Sequence, residues 1–128
     1  SFELEFCEAL ADNGFWCHNL KQNSAGQPAD VIAVKDGRGY LIDCKLCSSD
    51  KFALTRIEDN QIYAMHKWSD CCNETGWFAI KIRNEIYMVG LETLEKYDVF
   101  SDRTYLSYED IKQYFGITFK RWCQCSYL

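Results

Sequence analysis

Three charged residues on two neighbouring predicted strands have the types and spacing to do chemistry. Asp30 follows Pro28 and Ala29 and heads an apolar run, and Asp43 and Lys45 lie in the next apolar run, one residue apart. Because side chains alternate along a strand, Asp43 and Lys45 face the same side of a sheet. A hairpin would bring Asp30 beside Asp43. The pattern therefore predicts that two carboxylates and an ammonium converge beside a polar loop.

Such a cluster is suited to metal-assisted hydrolysis. Two close carboxylates repel each other unless a cation lies between them, and their oxygens are ligands that suit Mg²⁺ or Mn²⁺. A lysine beside them can hold a water or stabilise negative charge developing on a phosphate. The commoner alternative for such residues is a plain surface salt bridge. The strongly apolar Tyr40-Leu41-Ile42 directly before Asp43 favours the active site. The predicted chemistry is phosphodiester hydrolysis.

The elements that must position these residues follow from periodicity and turn signals. Hydrophobic residues at helical spacing predict helices, and short apolar runs bounded by Gly, Asn and Asp predict strands. Asp36-Gly37 marks the first hairpin turn and Gly14 a helix end. The expected fold class is α/β, a mixed central sheet flanked by helices. Helices are predicted over 3–13, 54–70, 91–97 and 107–114, and strands over 31–34, 40–46, 77–82 and 86–89.

Composition restricts the class of protein. The 128 residues, 48% apolar with a net charge of −5, predict one domain over 1–128 with a buried core. No apolar run approaches the ~20 residues of a membrane span, and the start does not resemble a signal peptide. It also lacks an initiator Met, so upstream residues could have been lost. The acidic balance argues against a broad basic DNA-binding face. It does not argue against a nuclease whose carboxylates hold a metal.

Eight cysteines are an unusual number for this length. Without a secretory signal, a disulfide framework is less favoured than free thiols or a metal site. A second Cys-x-x-Cys at zinc-finger spacing is lacking, so the zinc or iron–sulfur signal is weak, and cysteine as a small buried apolar residue is the favoured interpretation. The cysteines are Cys7, Cys17, Cys44, Cys47, Cys71, Cys72, Cys123 and Cys125.

The pattern Pro28-Ala29-Asp30…Asp43-Cys44-Lys45 resembles the PD-(D/E)XK nuclease superfamily. Within it, the chain is similar to Holliday junction resolvases, especially the RecU type of Gram-positive bacteria and their phages. The similar segments run in order through most of the chain, at 3–15, 52–65, 86–89 and 106–117. The resemblance implies a restriction-endonuclease-like core.

The resemblance also implies residue roles at the active site. Asp30 and Asp43 would ligate Mg²⁺ or Mn²⁺, with the backbone carbonyl of Cys44 as a further ligand. Glu3, matching the first-helix glutamate of archaeal resolvases, would complete the cluster. Lys45 would orient and help to deprotonate the attacking water.

Residues around this cluster would contact water or DNA. Gln61 could touch the metal-bound water or the DNA backbone, or be an ordinary polar helix residue. Lys21, Lys51 and Arg56 flank the proposed site and are expected to contact phosphates. Lys67 also flanks it, but is more easily interpreted as a solvated surface charge.

The implied function is a Mg²⁺-dependent, structure-selective DNA endonuclease that resolves four-way junctions by paired nicks. Cutting opposed strands of a twofold-symmetric junction calls for a homodimer. The expected location is the cytoplasm, with the protein encoded by a bacterial host or a phage. Two departures are visible: Asp43 stands where resolvases mostly have Glu, and Phe15 and Pro28 are only 13 positions apart, leaving no room for the RecU stalk. The alternatives are another nuclease of this superfamily, or a non-catalytic binding protein built on its fold.

Overall fold

A six-stranded mixed sheet forms the centre of the molecule in the computed structural model, which describes residues 1–20 and 28–125. Its strand order is β1-β2-β3-β5-β6-β8, and β4 and β7 form a separate two-stranded sheet. The strands are β1 Trp16–Asn19, β2 Val31–Lys35, β3 Arg38–Cys47, β4 Lys51–Ala53, β5 Trp77–Ile82, β6 Glu85–Gly90, β7 Tyr105–Ser107 and β8 Gly116–Thr118. The predicted α/β fold with a mixed sheet is confirmed.

Helices and short helical turns cover the sheet. The helices are α1 Phe2–Asp12, α2 Asp59–Asp70, α3 Leu91–Lys96, α4 Val99–Asp102, α5 Tyr108–Asp110 and α6 Phe119–Gln124, with a 3₁₀ turn at Leu54–Arg56 and a π-helical turn at Ile111–Phe115. No described helix is long and apolar enough to cross a membrane.

Two antiparallel hairpins and one parallel crossover build the main sheet. β2 pairs with β3, with Val31 opposite Ile42, and Asp36 and Gly37 turn the chain at positive φ. β5 and β6 form the second predicted hairpin. β3 and β5 are parallel, with Asp43 opposite Phe78, and the chain between them contains α2. A parallel pair needs such a crossover because a tight turn cannot join two strands that run in the same direction.

The sheet separates two apolar cores. Leu41 and Phe78 pack on the side that carries α2, whereas Ile42 and Ala79 pack on the side that carries α1 and α6. The alternation of side chains along β3 and β5 places neighbouring residues in different cores. Accordingly, Asp43 and Lys45 face the α2 side, where Lys45 contacts Gln61, and Cys44 packs against the other core.

The helix predicted over 54–70 begins later than expected. Residues 51–53 form β4 and pair with β7, and the 3₁₀ turn follows before α2 starts at Asp59. The Leu54 N–H donates to the carbonyl of Thr104 (2.9 Å), fifty positions away. The predicted α-helix therefore starts too early: residues 54–56 form a separate 3₁₀ turn, and residues 57 and 58 are not helical. The sequence interpretation also missed the short elements β7, β8, α4 and α6.

Candidate active site

Four polar or charged side chains are buried within the described residues: Asp30, Asp43, Lys45 and Gln61. All four belong to the set predicted from sequence. Burying such groups is costly unless they are paired. A cluster of buried ionisable groups is therefore a candidate functional site. They come from the start of β2, the middle of β3 and the first turn of α2, so the fold gathers them from three segments.

Backbone hydrogen bonds fix Asp30 at the start of β2. Its N–H donates to the Ile42 carbonyl (3.1 Å), and its carbonyl accepts from the Leu20 N–H (2.7 Å). Its Oδ2 accepts a hydrogen bond from the Cys44 backbone N–H (2.8 Å). The carboxylate of Asp30 is thereby held across the hairpin beside the Asp43-Cys44-Lys45 triplet, as the hairpin argument predicted.

Asp43 is the most buried of the four, with 3% of its surface exposed. Burial, which disfavours the charged form, and the nearby charge of Asp30 together raise the pKa of Asp43 to about 7. Lys45 acts in the opposite direction but does not cancel these effects. The site is therefore short of positive charge when Asp30, Asp43 and Lys45 are all ionised.

Glu3 brings a third carboxylate to the same place. It lies on the inward side of α1, three positions before the buried Phe6. Partial burial raises the pKa of Glu3, and the charge and side-chain hydrogen bonding of Asp30 raise it further. The structure thus places Glu3 within electrostatic reach of Asp30, although 27 positions separate them in sequence.

Lys45 is held by three acceptors at once. Its Nζ lies 2.7 Å from the carbonyl oxygen of Arg56, 3.2 Å from Oε1 of Gln61 and 2.9 Å from Oδ2 of Asp43. An ammonium has three protons to donate. The contact to Asp43 is a buried ion pair, and it lowers the pKa of Asp43 against the effects of burial and of Asp30. The amine end of Lys45 is thereby directed at the Asp43 carboxylate.

Two of these three contacts come from the segment that the sequence interpretation read as continuous helix. The Arg56 carbonyl is free for Lys45 because residues 54–56 form a 3₁₀ turn that ends at Ile57. Gln61 Oε1 also accepts from the Glu58 N–H (3.0 Å), which fixes the amide at the start of α2. The spacing Glu58-x-x-Gln61 resembles a helix-capping pair and could have indicated this. Gln61 therefore has a positioning contact to Lys45.

Comparisons with known proteins show the family and the fold of the chain. The family model of the archaeal Holliday junction resolvases (Hjc) matches residues 1–119. The chain belongs to this family. Among solved structures, it is similar to Hjc of Archaeoglobus fulgidus, described as a Holliday junction resolvase from an archaeal hyperthermophile. The TM-score is 0.73 at 13% identity, over 95% of this chain and 97% of that one. No curated protein gives a significant match.

Membership of the Hjc family confirms the predicted enzyme class, an endonuclease of the junction-resolving kind. It also confirms the predicted nuclease superfamily, though through the archaeal resolvases and not through the RecU type. The match to Archaeoglobus fulgidus Hjc supports the restriction-endonuclease-like fold.

The donor set of this Hjc-family chain fits a divalent metal. Glu3, Asp30 and Asp43 supply carboxylate oxygens, which Mg²⁺ and Mn²⁺ prefer. Asp30 raises the pKa of both Glu3 and Asp43, so three carboxylates face the one ammonium of Lys45 and leave an unmet demand for positive charge. Among the described residues, no three His, Cys, Asp or Glu side chains are already arranged to hold an ion. Metal binding would therefore involve a shift of side chains, beginning with the Asp43–Lys45 pair.

Of the predicted phosphate contacts, Lys51 and Arg56 are exposed on the chain that leaves β3. Neither has an acidic partner within salt-bridge distance in the described part of the chain. Arg56 stacks on Phe52 (5.3 Å) and donates to the Leu46 carbonyl (2.8 Å), while Lys51 lies over Tyr105 (4.8 Å). Lys21 lies outside the described residues.

All eight cysteines carry free thiols. Cys71 and Cys72 are exposed, whereas Cys123 is buried. Burial raises the pKa of the Cys123 thiol to about 11, which disfavours the thiolate that metals bind.

Proposed function

We propose that this protein is a Mg²⁺-dependent endonuclease that resolves four-way DNA junctions by paired nicks. The observation that carries the proposal is the burial of Asp30, Asp43, Lys45 and Gln61 in one contact network, within a chain of the Hjc family. Burying two carboxylates and an ammonium together opposes folding. A protein that keeps such a cluster despite this cost is expected to use it. The Hjc family makes a DNA junction the substrate class that this network would act on.

Asp30, Asp43 and Glu3 would hold Mg²⁺ or Mn²⁺, with the Cys44 carbonyl as a further candidate ligand. When bound, the ion supplies Lewis-acid activation of the phosphate and lowers the pKa of water. These carboxylates and the substrate phosphate would form the metal site together, and neither group would form it alone.

Lys45 is the residue best placed to act on water and phosphate. Its ammonium, held by the Arg56 carbonyl and by Gln61, would orient the attacking water and stabilise charge on the scissile phosphate. Gln61 acts through Lys45 as a positioning residue. In-line attack on the phosphorus would leave a 5′-phosphate and a 3′-hydroxyl.

We also propose that the active form is a homodimer, because paired nicks in a twofold-symmetric junction need two symmetry-related sites. The RecU likeness remains part of the proposal. It is supported by segment 52–57, which leads into α2 beside the site. We further propose that the protein works in the cytoplasm of a bacterial host and is encoded by that host or by a phage. The free thiols favour a reducing compartment.

The test is a nicking assay with Mg²⁺ on a four-way junction, a flap and a plain duplex of matched sequence. The wild type should cut the junction in pairs and leave the duplex intact. Asp43→Asn and Lys45→Ala should reduce the rate by at least 100-fold, a typical loss for one catalytic group. Asp70→Asn and Lys120→Ala, at exposed positions on α2 and α6, are the matched controls.

Three outcomes would contradict the proposal. Equal cutting of flap and junction would indicate another nuclease of this superfamily. Junction binding without cutting under any divalent ion would indicate the non-catalytic alternative. Cutting by Asp43→Asn at the wild-type rate would show that the active site lies elsewhere.

A further inference from the structure

An aromatic groove includes Arg103, next to the Thr104 carbonyl that bonds to the turn at residues 54–56, and has no role in the proposed chemistry. It has a volume of about 650 Å³ and is lined by Tyr97, Asp102, Arg103, Tyr114 and Phe115. We call this set the aromatic groove.

Two tyrosine rings and a guanidinium group surround the Phe115 ring. Tyr97 meets the Phe115 ring at 6.3 Å between centroids and Tyr114 at 6.4 Å, and the Arg103 guanidinium stacks over Phe115 at 5.1 Å. Tyr114 is 72% exposed. The side chains are thus partly fixed by one another while offering ring surface to solvent. This lowers the entropic cost of binding a planar ligand.

Charge in the groove favours a base over a phosphate. Arg103 forms an ion pair with Asp110 (3.1 Å), and Asp102 also lines the groove, so its centre has little excess positive charge. Stacking on a ring or on a guanidinium plane needs none, because every base has a π-face. At the edges, Lys96 lies over Tyr97 (5.5 Å) and Lys51 over Tyr105 (4.8 Å). These ammonium groups can take the phosphates on either side of a stacked base.

The path from the active site to the aromatic groove is short. Lys45 Nζ bonds to the Arg56 carbonyl, and the same 3₁₀ turn bonds through the Leu54 N–H to the carbonyl of Thr104, the residue after Arg103. At about 2 Å per residue along a 3₁₀ turn, this path from Lys45 Nζ to the Thr104 carbonyl is on the order of 10 Å, and the groove begins at the neighbouring Arg103. A DNA strand advances about 3.4 Å per nucleotide. A strand cut at Lys45 and running in this direction therefore passes Thr104 after a few nucleotides and meets the groove next.

We infer that the aromatic groove binds unpaired bases of the DNA strand next to the cleavage point. The inference rests on the proposed function for the identity of the substrate. It adds a way to recognise branched DNA, because a base is free to enter the groove only where the duplex opens. It also offers an acidic protein binding energy that does not depend on net charge.

The test compares two DNA probes in Ca²⁺, which supports cleavage poorly. One is a duplex ending in two non-complementary thymidine arms, and the other is a fully paired duplex of the same length. Fluorescence anisotropy gives the dissociation constants. Tyr97→Ala and Tyr114→Ala should each weaken binding of the splayed probe about 10-fold, the value of one base stack, and leave duplex binding within about 2-fold. Tyr114→Phe should retain wild-type affinity because it keeps the ring.

Tyr63→Ala is the matched control, since Tyr63 is 65% exposed on α2 with Lys67 over its ring, and it lies outside the groove. Wild-type affinity of both groove variants for the splayed probe would overturn the inference and indicate an occupant other than DNA. Equal loss on both probes would also overturn it. The wild type could bind the splayed arms through Tyr97 and Tyr114 and yet cut no branched DNA. This result would refute the proposed function and support the inference that the groove binds unpaired bases.

Discussion

Replacing Asp43 by Asn should abolish cleavage and, in metal-free protein, increase the free energy of unfolding. The carboxylate is buried beside Asp30, and burial raises its pKa from 3.8 to about 7. In the unfolded chain the same group ionises at its ordinary pKa. Above pH 7, folding must therefore bury a charge that water solvates better, whereas the amide of Asn carries no charge.

The size of the effect follows from the shift. One pKa unit corresponds to about 1.36 kcal/mol, so a shift from 3.8 to about 7 destabilises the ionised folded state by about 4 kcal/mol. Below pH 4 the group is protonated in both states and the effect vanishes. Between pH 4 and pH 7 the unfolded state releases its proton first, so stability falls as pH rises. The advantage of Asp43→Asn over the wild type should grow from near zero at pH 4 to a few kcal/mol at pH 7 and above.

The assay is urea unfolding in EDTA from pH 4 to pH 8, followed by the fluorescence of buried Trp77 and Trp122. Linear extrapolation gives the free energy at each pH. Adding Mg²⁺ should stabilise the wild type more than Asp43→Asn, because the variant keeps only Glu3 and Asp30 as charged ligands. Asp70→Asn, at an exposed position, should follow the wild type throughout.

A lower stability of Asp43→Asn at pH 8 would refute this reasoning, as would a difference that does not change with pH. The first result would mean that the ion pair with Lys45 outweighs the cost of burial. The second would mean that the carboxylate and the amide differ in packing and not in charge.

Three further predictions concern contacts around the site and the thiols. Gln61→Ala removes one acceptor of Lys45 and the contact to the Glu58 N–H, so urea unfolding should show a loss of about 2–3 kcal/mol, and an unchanged midpoint would contradict the contact. Gly76→Ala places a Cβ in overlap with the buried side chain of Met65. It should destabilise the fold by about 1–3 kcal/mol, and full stability in the same assay would count against this packing. Elemental analysis of protein purified without added zinc should give well below one zinc per chain, and a stoichiometric amount would make the cysteines ligands.

The local arrangement of the reactive triplet was determined by sequence alone. Strand alternation places Asp43 and Lys45 on one face and Cys44 on the other whatever the rest of the chain does. The Asp36-Gly37 turn then sets which residue of β2 lies opposite each residue of β3, which brings Asp30 beside Asp43. Both features depend on contacts between residues close in sequence, so pattern and turn chemistry were sufficient to predict them.

Only the tertiary structure decided what surrounds that triplet. The Arg56 carbonyl is available to Lys45 because residues 54–56 form a 3₁₀ turn directly after β4, which pairs with β7, and α2 begins only at Asp59. The aromatic groove likewise unites residues at the ends of α3, α4 and the π-helical turn, and the sequence gives no signal that these ends pack together. Such contacts depend on loop closure across some fifty residues, and the periodicity of each segment contains no information about them.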